Sequence, residues 1–179
     1  TVSNNTKNPN VDMTGWALAN SPDQIPYKFG SQLSFNERFT FPQDFGAEPT
    51  AKLSSRYSTL AAAKFAYSNI TSQITSLDQS LFWAGLQSAI VSLGANGGGE
   101  IVITSGNWLL SDTVVGRSNV TVSGRGDSSL IDIELNSRWA GRYIFDGRGH
   151  SHFVIKNFKI DQKGRNRTAA QATGSALVI

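Results

Sequence analysis

From Gly99 onward the sequence is a series of short β-rich runs that fit no helical period. They are IVIT at 101, WLL at 108, TVV at 113, NVTVS at 119, SLIDIEL at 129, YIF at 143, HFVI at 152 and NFKI at 157. Turn-type segments separate them: SGN, GRSN, GRGDSS, DGRGH and KGRNR. Apolar and polar residues alternate in NVTVS and LIDIEL, as on a strand with one buried face. This excludes a helical bundle. Asn-Gly hairpin turns between long strands are missing, and the runs recur with a loose period of roughly twenty-odd residues, the range of solenoid coils. Val120, Val122, Ile144 and Val178 are candidates for successive places in one inward stack.

The glycine-rich stretch GANGGGE (94–100) leads into the first of these runs. A phosphate-binding loop needs Lys and then Ser or Thr after its last glycine, and then a helix. Here Glu100 and a strand come next. A dinucleotide fingerprint needs strand, glycines and helix in that order, and the order here is reversed. The glycines instead join the end of a helix to a first strand.

Two helices are expected ahead of them. Ser58 to Tyr67 combines an N-cap serine with three consecutive alanines, which are strong helix formers. Leu77 to Gly94 carries Leu81, Phe82, Leu86, Ala89, Ile90 and Leu93 at helical spacing, one apolar stripe. Asp78 is its expected cap and Gly94 its expected left-handed terminator. Trp83 lies off the centre of the stripe and is expected to cover a different neighbour. Residues 1–40 have weak periodicity and isolated aromatics at Trp16, Tyr27, Phe29, Phe35 and Phe39, which suits an extended connector or a loosely ordered linker.

The chain has 179 residues and no cysteine, so disulfides and thiolate metal sites are excluded. No run of about eighteen apolar residues is present, so no helical membrane span is expected. The polar opening TVSNNTKNPN and the strand-like ending GSALVI predict an internal piece of a longer protein, poorly soluble by itself. The net charge of +3 is unevenly spread: from Arg138 to Arg167 eight basic residues face only Asp146 and Asp161.

Four segments resemble the start of a pectate-lyase-like right-handed parallel β-helix of the kind found in phage tailspikes. FPQDFGAEPT (41–50) resembles the FGA motif that leads into the cap, and LFWAGLQSAI (81–90) resembles the capping helix. GGGEIVITSGNWLLSDTVV (97–115) resembles the first coil, and SNVTVSGRGDSSLI (118–131) the second. Thr104-Ser105 stands where that family often has Pro, and Trp108 where it has Tyr. The usual acidic stretch after FGA is replaced by SSRYSTLAAAKFAYSNITSQITSLDQ (54–79), a variant that resembles phage tail proteins. NPNVDMTGWALANS (8–21) resembles the connector after a virion-attachment domain.

The expected fold is therefore mainly β: the start of a right-handed single-stranded parallel β-helix with an N-terminal α-helical cap. Residues 1–40 are the expected connector from an upstream virion-attachment region, 41–99 the helical cap and 100–179 the first coils. A parallel β-helix begins with an open strand edge, and an amphipathic helix laid over that edge would hide it. The resemblance implies a homotrimer on the virion tail, in contact with other tail proteins, that binds and depolymerises a bacterial capsule or O-antigen. Hydrolysis is favoured over elimination, and no cofactor, metal or membrane is implied. Two alternatives stay open: a non-catalytic structural or receptor-binding virion protein, and a secreted bacterial pectate-lyase-like enzyme.

Glycoside hydrolysis needs two carboxylates. Asp132 and Glu134 are two apart on a strand and share a face; with Asp161 they are the candidate catalytic residues, against the plainer reading of a solvated outer face. Active carboxylates of resembling tailspikes usually lie further along the β-helix or between subunits. The basic stretch, with Trp139, Arg142, Lys163 and Arg165 as candidate substrate contacts, would suit an anionic glycan or a solubilising surface. Nucleic-acid binding is disfavoured, because Phe153 and Phe158, which would have to stack on bases, sit at apolar strand positions. His150 and His152 share an expected strand face without a third metal ligand. Arg125-Gly126-Asp127 fills a turn position of the resembling coil, so an adhesion motif is not inferred from it.

Overall fold

The structure, a computed structural model, describes residues 39–134, 143–162 and 177–178, all within the unit Phe35–Ile179. The fold mixes helices with parallel strands, and strand accounts for about one-third of it. It is thus less purely β than the sequence suggests, because a large helix-and-turn region is needed to close one edge of the strands.

That region opens with β1 (Phe39–Thr40) and a 3₁₀ turn at Pro42–Phe45, and continues through α1 (Leu60–Ala66) and α2 (Leu81–Ala95). Both helices start later than expected. Thr59, not Ser58, caps α1, its hydroxyl accepting from the Ala62 N–H at 3.1 Å. Ser80, not Asp78, caps α2, accepting from the Trp83 N–H at 3.2 Å. The reason lies in residues 77–81, whose backbone is already committed to residues 51–54. Leu53 N–H donates to Gln79 O at 2.8 Å, Ser54 N–H to Leu77 O at 2.9 Å, and Leu81 N–H to Ala51 O at 2.8 Å. The helix cannot begin until that pairing ends. Replacing Ser80 with Ala is expected to cost about 1 kcal/mol, read as a lower urea midpoint of the full chain.

Helix α2 is not amphipathic in its surroundings. Every residue from Leu81 to Ile90 is buried. One side meets the strands, with the Phe82 and Trp108 rings 5.0 Å apart. Another side meets the FGA segment so closely that a Cβ on Gly85 would lie 2.7 Å from Ala47 Cβ. The first-edge helix is therefore itself wrapped by residues 42–79, and more than a single stripe is buried. Gly94 does not end it. The helix runs to Ala95, and the left-handed residues are Gly97, Gly98 and Gly99 at φ 90°, 107° and 147°. Gly94 instead permits close packing, since a Cβ there would sit 2.5 Å from Arg117 Cβ.

The strands are β2 (Gly99–Val102), β3 (Gly106–Leu110), β4 (Val114–Val115), β5 (Val120–Ile133), β6 (Phe145–Asp146), β7 (Val154–Asp161) and β8 (Leu177–Val178). All of their pairings are parallel among the described residues. β2 pairs with the first part of β5 and β3 with its last part. β7 then pairs along β5, and β4, β6 and β8 form a second sheet in that order. Each return of the chain thus lies in register on the pass before it. Ile101, Val122 and Ile155 occupy one column, and Val114, Phe145 and Leu177 another.

This corrects the single stack expected from Val120, Val122, Ile144 and Val178. Val122 belongs to the first sheet, while Ile144 precedes β6 and Val178 pairs with Asp146 in the second. NVTVS and SLIDIEL also prove to be one strand, as do HFVI and NFKI, despite the turn-type residues between them. Register shifts at Ser123, Gly126 and Leu130 mark the bends. Arg125 to Ser128 form an exposed corner there.

The first edge is closed by three different devices. β1 pairs with β2 as a short parallel strand. Against β3, Leu109 N–H donates to Pro49 O at 2.6 Å. Against β4, the buried side chain of Gln87 acts as a piece of strand: its Nε2 donates to Val115 O at 3.0 Å and its Oε1 accepts from Val115 N–H at 2.8 Å. Trp83, as expected for its position, covers another neighbour, its Nε1 donating to Thr113 O at 2.8 Å. Edge groups that would otherwise be buried without partners are so satisfied.

Candidate functional site

The inward columns leave the alternate positions of β5 and β7 facing outward. Ile131 and Ile133 are fully buried, so Asp132 and Glu134 share the opposite face, both part-buried. Their surroundings differ. Glu134 forms an ion pair with Lys52 at 2.7 Å, which ties the cap region to the second pass of strands. Asp132 stands directly opposite Asp161 of β7 in the parallel register, with Leu109 on its other side. Paired positions on neighbouring strands are about 4.8 Å apart. The structure thus groups all three sequence candidates on one face, but the close pair is Asp132 with Asp161 rather than Asp132 with Glu134.

A second outward cluster lies on the first part of the same strands. Glu100 of β2, Ser123 of β5 and Lys156 of β7 meet across three successive passes, with Lys156 Nζ 3.3 Å from Glu100. The Ser123 hydroxyl, aided by Lys156, holds the Glu100 carboxyl below its ordinary range. Further on, Arg148 forks onto both Asp146 oxygens at 2.9 and 2.7 Å and holds that carboxyl down too. The Arg148 guanidinium also lies over the Tyr143 ring, 5.0 Å from its centre.

These depressed carboxyls fix a pH dependence. Their folded-state pKa values lie below the unfolded ones, so their stabilisation is present above the unfolded value and is lost as pH falls through the folded one. Urea midpoints are expected to drop between about pH 5 and pH 3. Glu100→Gln should flatten part of that drop.

Part of the basic stretch is engaged in these pairs. Trp139, Arg142, Lys163 and Arg165, the candidate substrate contacts, lie outside the described residues. Phe153 is buried, and Phe158 packs on Phe145 with ring centres 5.8 Å apart. His150 and His152 lie in the turn region between β6 and β7, not on a strand. His150 Nε2 is 3.3 Å from Arg117 Nη1.

Two phage tailspikes are similar to this chain in structure. One is the tailspike gp49 of Pseudomonas phage LKA1, at 26% identity and TM-score 0.43, covering 59% of this chain and 17% of its own. The other is the tailspike gp61 of Pseudomonas phage phi297, at 23% identity and TM-score 0.43, covering 62% of this chain and 16% of its own. The chain therefore spans a small part of either tailspike. No protein-family model and no curated protein matches its sequence. No helix among the described residues is long and apolar enough to cross a membrane.

Sequence reasoning missed the pairing of Asp132 with Asp161. The two belong to different passes, and only the register brings them together.

Proposed function

We propose that this chain is the capped beginning of a right-handed single-stranded parallel β-helix in a phage tailspike. The tailspike would be a homotrimer of the virion tail that binds and depolymerises a bacterial capsule or O-antigen. The observation that carries this reading is the column Ile101, Val122 and Ile155, three passes in parallel register behind a closed first edge. The four ordered motifs from Phe41 to Ile131 support it, as does the continuity of the cap with residues 42–95. In this arrangement residues 1–40 serve as the connector to a virion-attachment region.

Hydrolysis is favoured over elimination because the outward face presents paired carboxylates. In such a pair one group protonates the leaving oxygen and the other attacks the sugar or activates water. Carboxyl groups about 5 Å apart belong to the retaining mechanism, whereas the inverting one needs room for a water. The backbone positions of Asp132 and Asp161 are one strand spacing apart, which lets their carboxyl groups approach to the first of these distances. Cleavage products are accordingly expected to keep the anomeric configuration, which proton NMR of the fresh products would read. The Lys52–Glu134 ion pair favours a second reading, since it gives that carboxylate a structural task. On that reading the face only binds glycan.

The test uses the full-length protein that carries this chain, on a panel of capsular and O-antigen polysaccharides. New reducing ends without ultraviolet absorbance from unsaturated uronate support the hydrolase. Both signals together overturn hydrolysis in favour of a lyase. Glycan binding without either signal supports the receptor-binding reading. No binding at all sinks the proposal.

A further inference from the structure

Three large apolar side chains are exposed among the described residues, and two of them share one row of the first sheet. Phe39, Glu100, Thr121 and Val154 stand in register across β1, β2, β5 and β7. The fully buried Ile101 and Val122 come next after Glu100 and Thr121, so this row faces outward. Its ends are open: Phe39 is 66% exposed and Val154 43%. Phe41 widens the first end, its ring edge-on to Phe39 with centres 6.1 Å apart. The next outward row is Val102, Ser123 and Lys156, in which Val102 is half-buried and Ser123 buried. The charged residues of the two rows are Glu100 and Lys156, and they pair with each other at 3.3 Å. The face as a whole is therefore neutral. It also has a direction. Each pass lies on the one before it, so a row that crosses four strands runs along the axis of the stack.

A face with these properties fits a copy of itself. On a rotation axis of a homo-oligomer each residue meets its own copy, and like charges that meet there repel. Such a face must be uncharged or paired within one copy, as this one is. Recognition of a different protein is commonly steered by opposite charge, which a neutral face lacks. A glycan needs polar groups free beside the ring, whereas Glu100, next to Phe39, is turned to Ser123 and Lys156. We propose that the row Phe39, Glu100, Thr121 and Val154 lies along the three-fold axis of the assembled protein and packs against the same row of two further copies. The inference rests on the homotrimeric tailspike reading above and names the face on which its copies meet. Two exposed side chains cannot supply the roughly 800 Å² per partner of a standard interface, so the row is one stretch of a contact that climbs the stack. The corner at Arg125 to Ser128 separates this face from Asp132 and Asp161.

The test uses the absence of cysteine from this chain. Phe39→Cys and Val154→Cys are made singly in the full-length protein, with any cysteine elsewhere in it replaced by Ser. Each variant is treated with a short bismaleimide in dilute solution. Both changes fall on exposed side chains, so the fold is expected to tolerate them. Ala61→Cys, exposed on α1, is the comparator. Both row positions are expected to give covalent dimers in at least tenfold higher yield than Ala61→Cys. Round a three-fold axis a two-headed reagent links two cysteines and strands the third, so at most about two-thirds of the chains should run as dimers. The inference is overturned if neither row position cross-links, if Ala61→Cys cross-links equally, or if nearly all chains become dimers, which marks a two-fold contact. Row cysteines that resist cross-linking and are shielded from maleimide only when polysaccharide or other virion proteins are added show another occupant and overturn it too. Sedimentation as a trimer without these cross-links refutes the face alone. Cross-links in a full-length protein that binds no polysaccharide refute the glycan-binding reading and leave the face standing.

Discussion

Replacing Gln87 with Leu is expected to destabilise the chain by about 2–5 kcal/mol, because it leaves two buried backbone groups without partners. Leu fills nearly the same space and suits a helix better than Gln does by its apolar contacts alone. The loss therefore comes from Val115, whose N–H and C=O are both paired to the Gln87 amide. Each unsatisfied group costs about 1–3 kcal/mol. The melting temperature should fall by roughly 10 °C, and light scattering should rise as the β4 edge becomes available to other chains. Gln87→Glu isolates the cause. A carboxylate can still accept from Val115 N–H but cannot donate to its carbonyl, whereas a protonated carboxyl can do both. The Glu variant should therefore recover relative to the parent chain as pH falls. A Leu variant within about 0.5 kcal/mol of the parent, the range of an ordinary surface change, would show that the edge needs no partner.

The second large effect is expected at Gly98. Its φ of 107° is a conformation that side chains rarely adopt, and a Cβ there would lie 2.2 Å from Asn119 O. That oxygen cannot retreat easily, since it accepts from the Gly99 N–H at 3.0 Å and Asn119 is itself left-handed at φ 63°. Gly98→Ala combines backbone strain with a clash against backbone, and about 3 kcal/mol or more is expected. Gly126 separates the two contributions. Its φ is 68°, yet nothing lies within 4 Å of the place a Cβ would take. Gly126→Ala should therefore show the strain alone, roughly 1–2 kcal/mol. Equal effects at the two positions, measured by urea unfolding, would refute the close-approach argument.

These two residues also show where the sequence is legible. Leu81 to Ile90 reads as a helix because apolar residues recur at its period, and the strands after Gly99 read as strands because their alternation is clear. Glu100 and the strand around it set the glycine run apart from a nucleotide loop. Gln87 is invisible to periodicity, although one amide inside a run of buried apolar residues is a signal that something polar must meet it. The joining of NVTVS to SLIDIEL is hidden by GRGDSS, whose composition is that of a turn but whose ends continue one strand. Asp132 and Asp161 cannot be paired by counting. The offset between passes is not constant: Gly99 stands against Val120, while Thr121 stands against Val154. The longer connections between the later strands stretch it, and a fixed period cannot track that change.

The closed first edge has a consequence for how the chain acquires its structure. Each pass of strands needs only the pass before it as a template, and the earliest template is made from residues 39–98. Assembly of this kind resembles crystal growth from a seed: the slow event is forming the seed, and later layers add to a surface already shaped for them. A ribosome delivers the layers in the same order. Damage to the seed, as at Gln87 or Gly98, should therefore slow the appearance of every later layer, whereas damage in β7 should spare the seed.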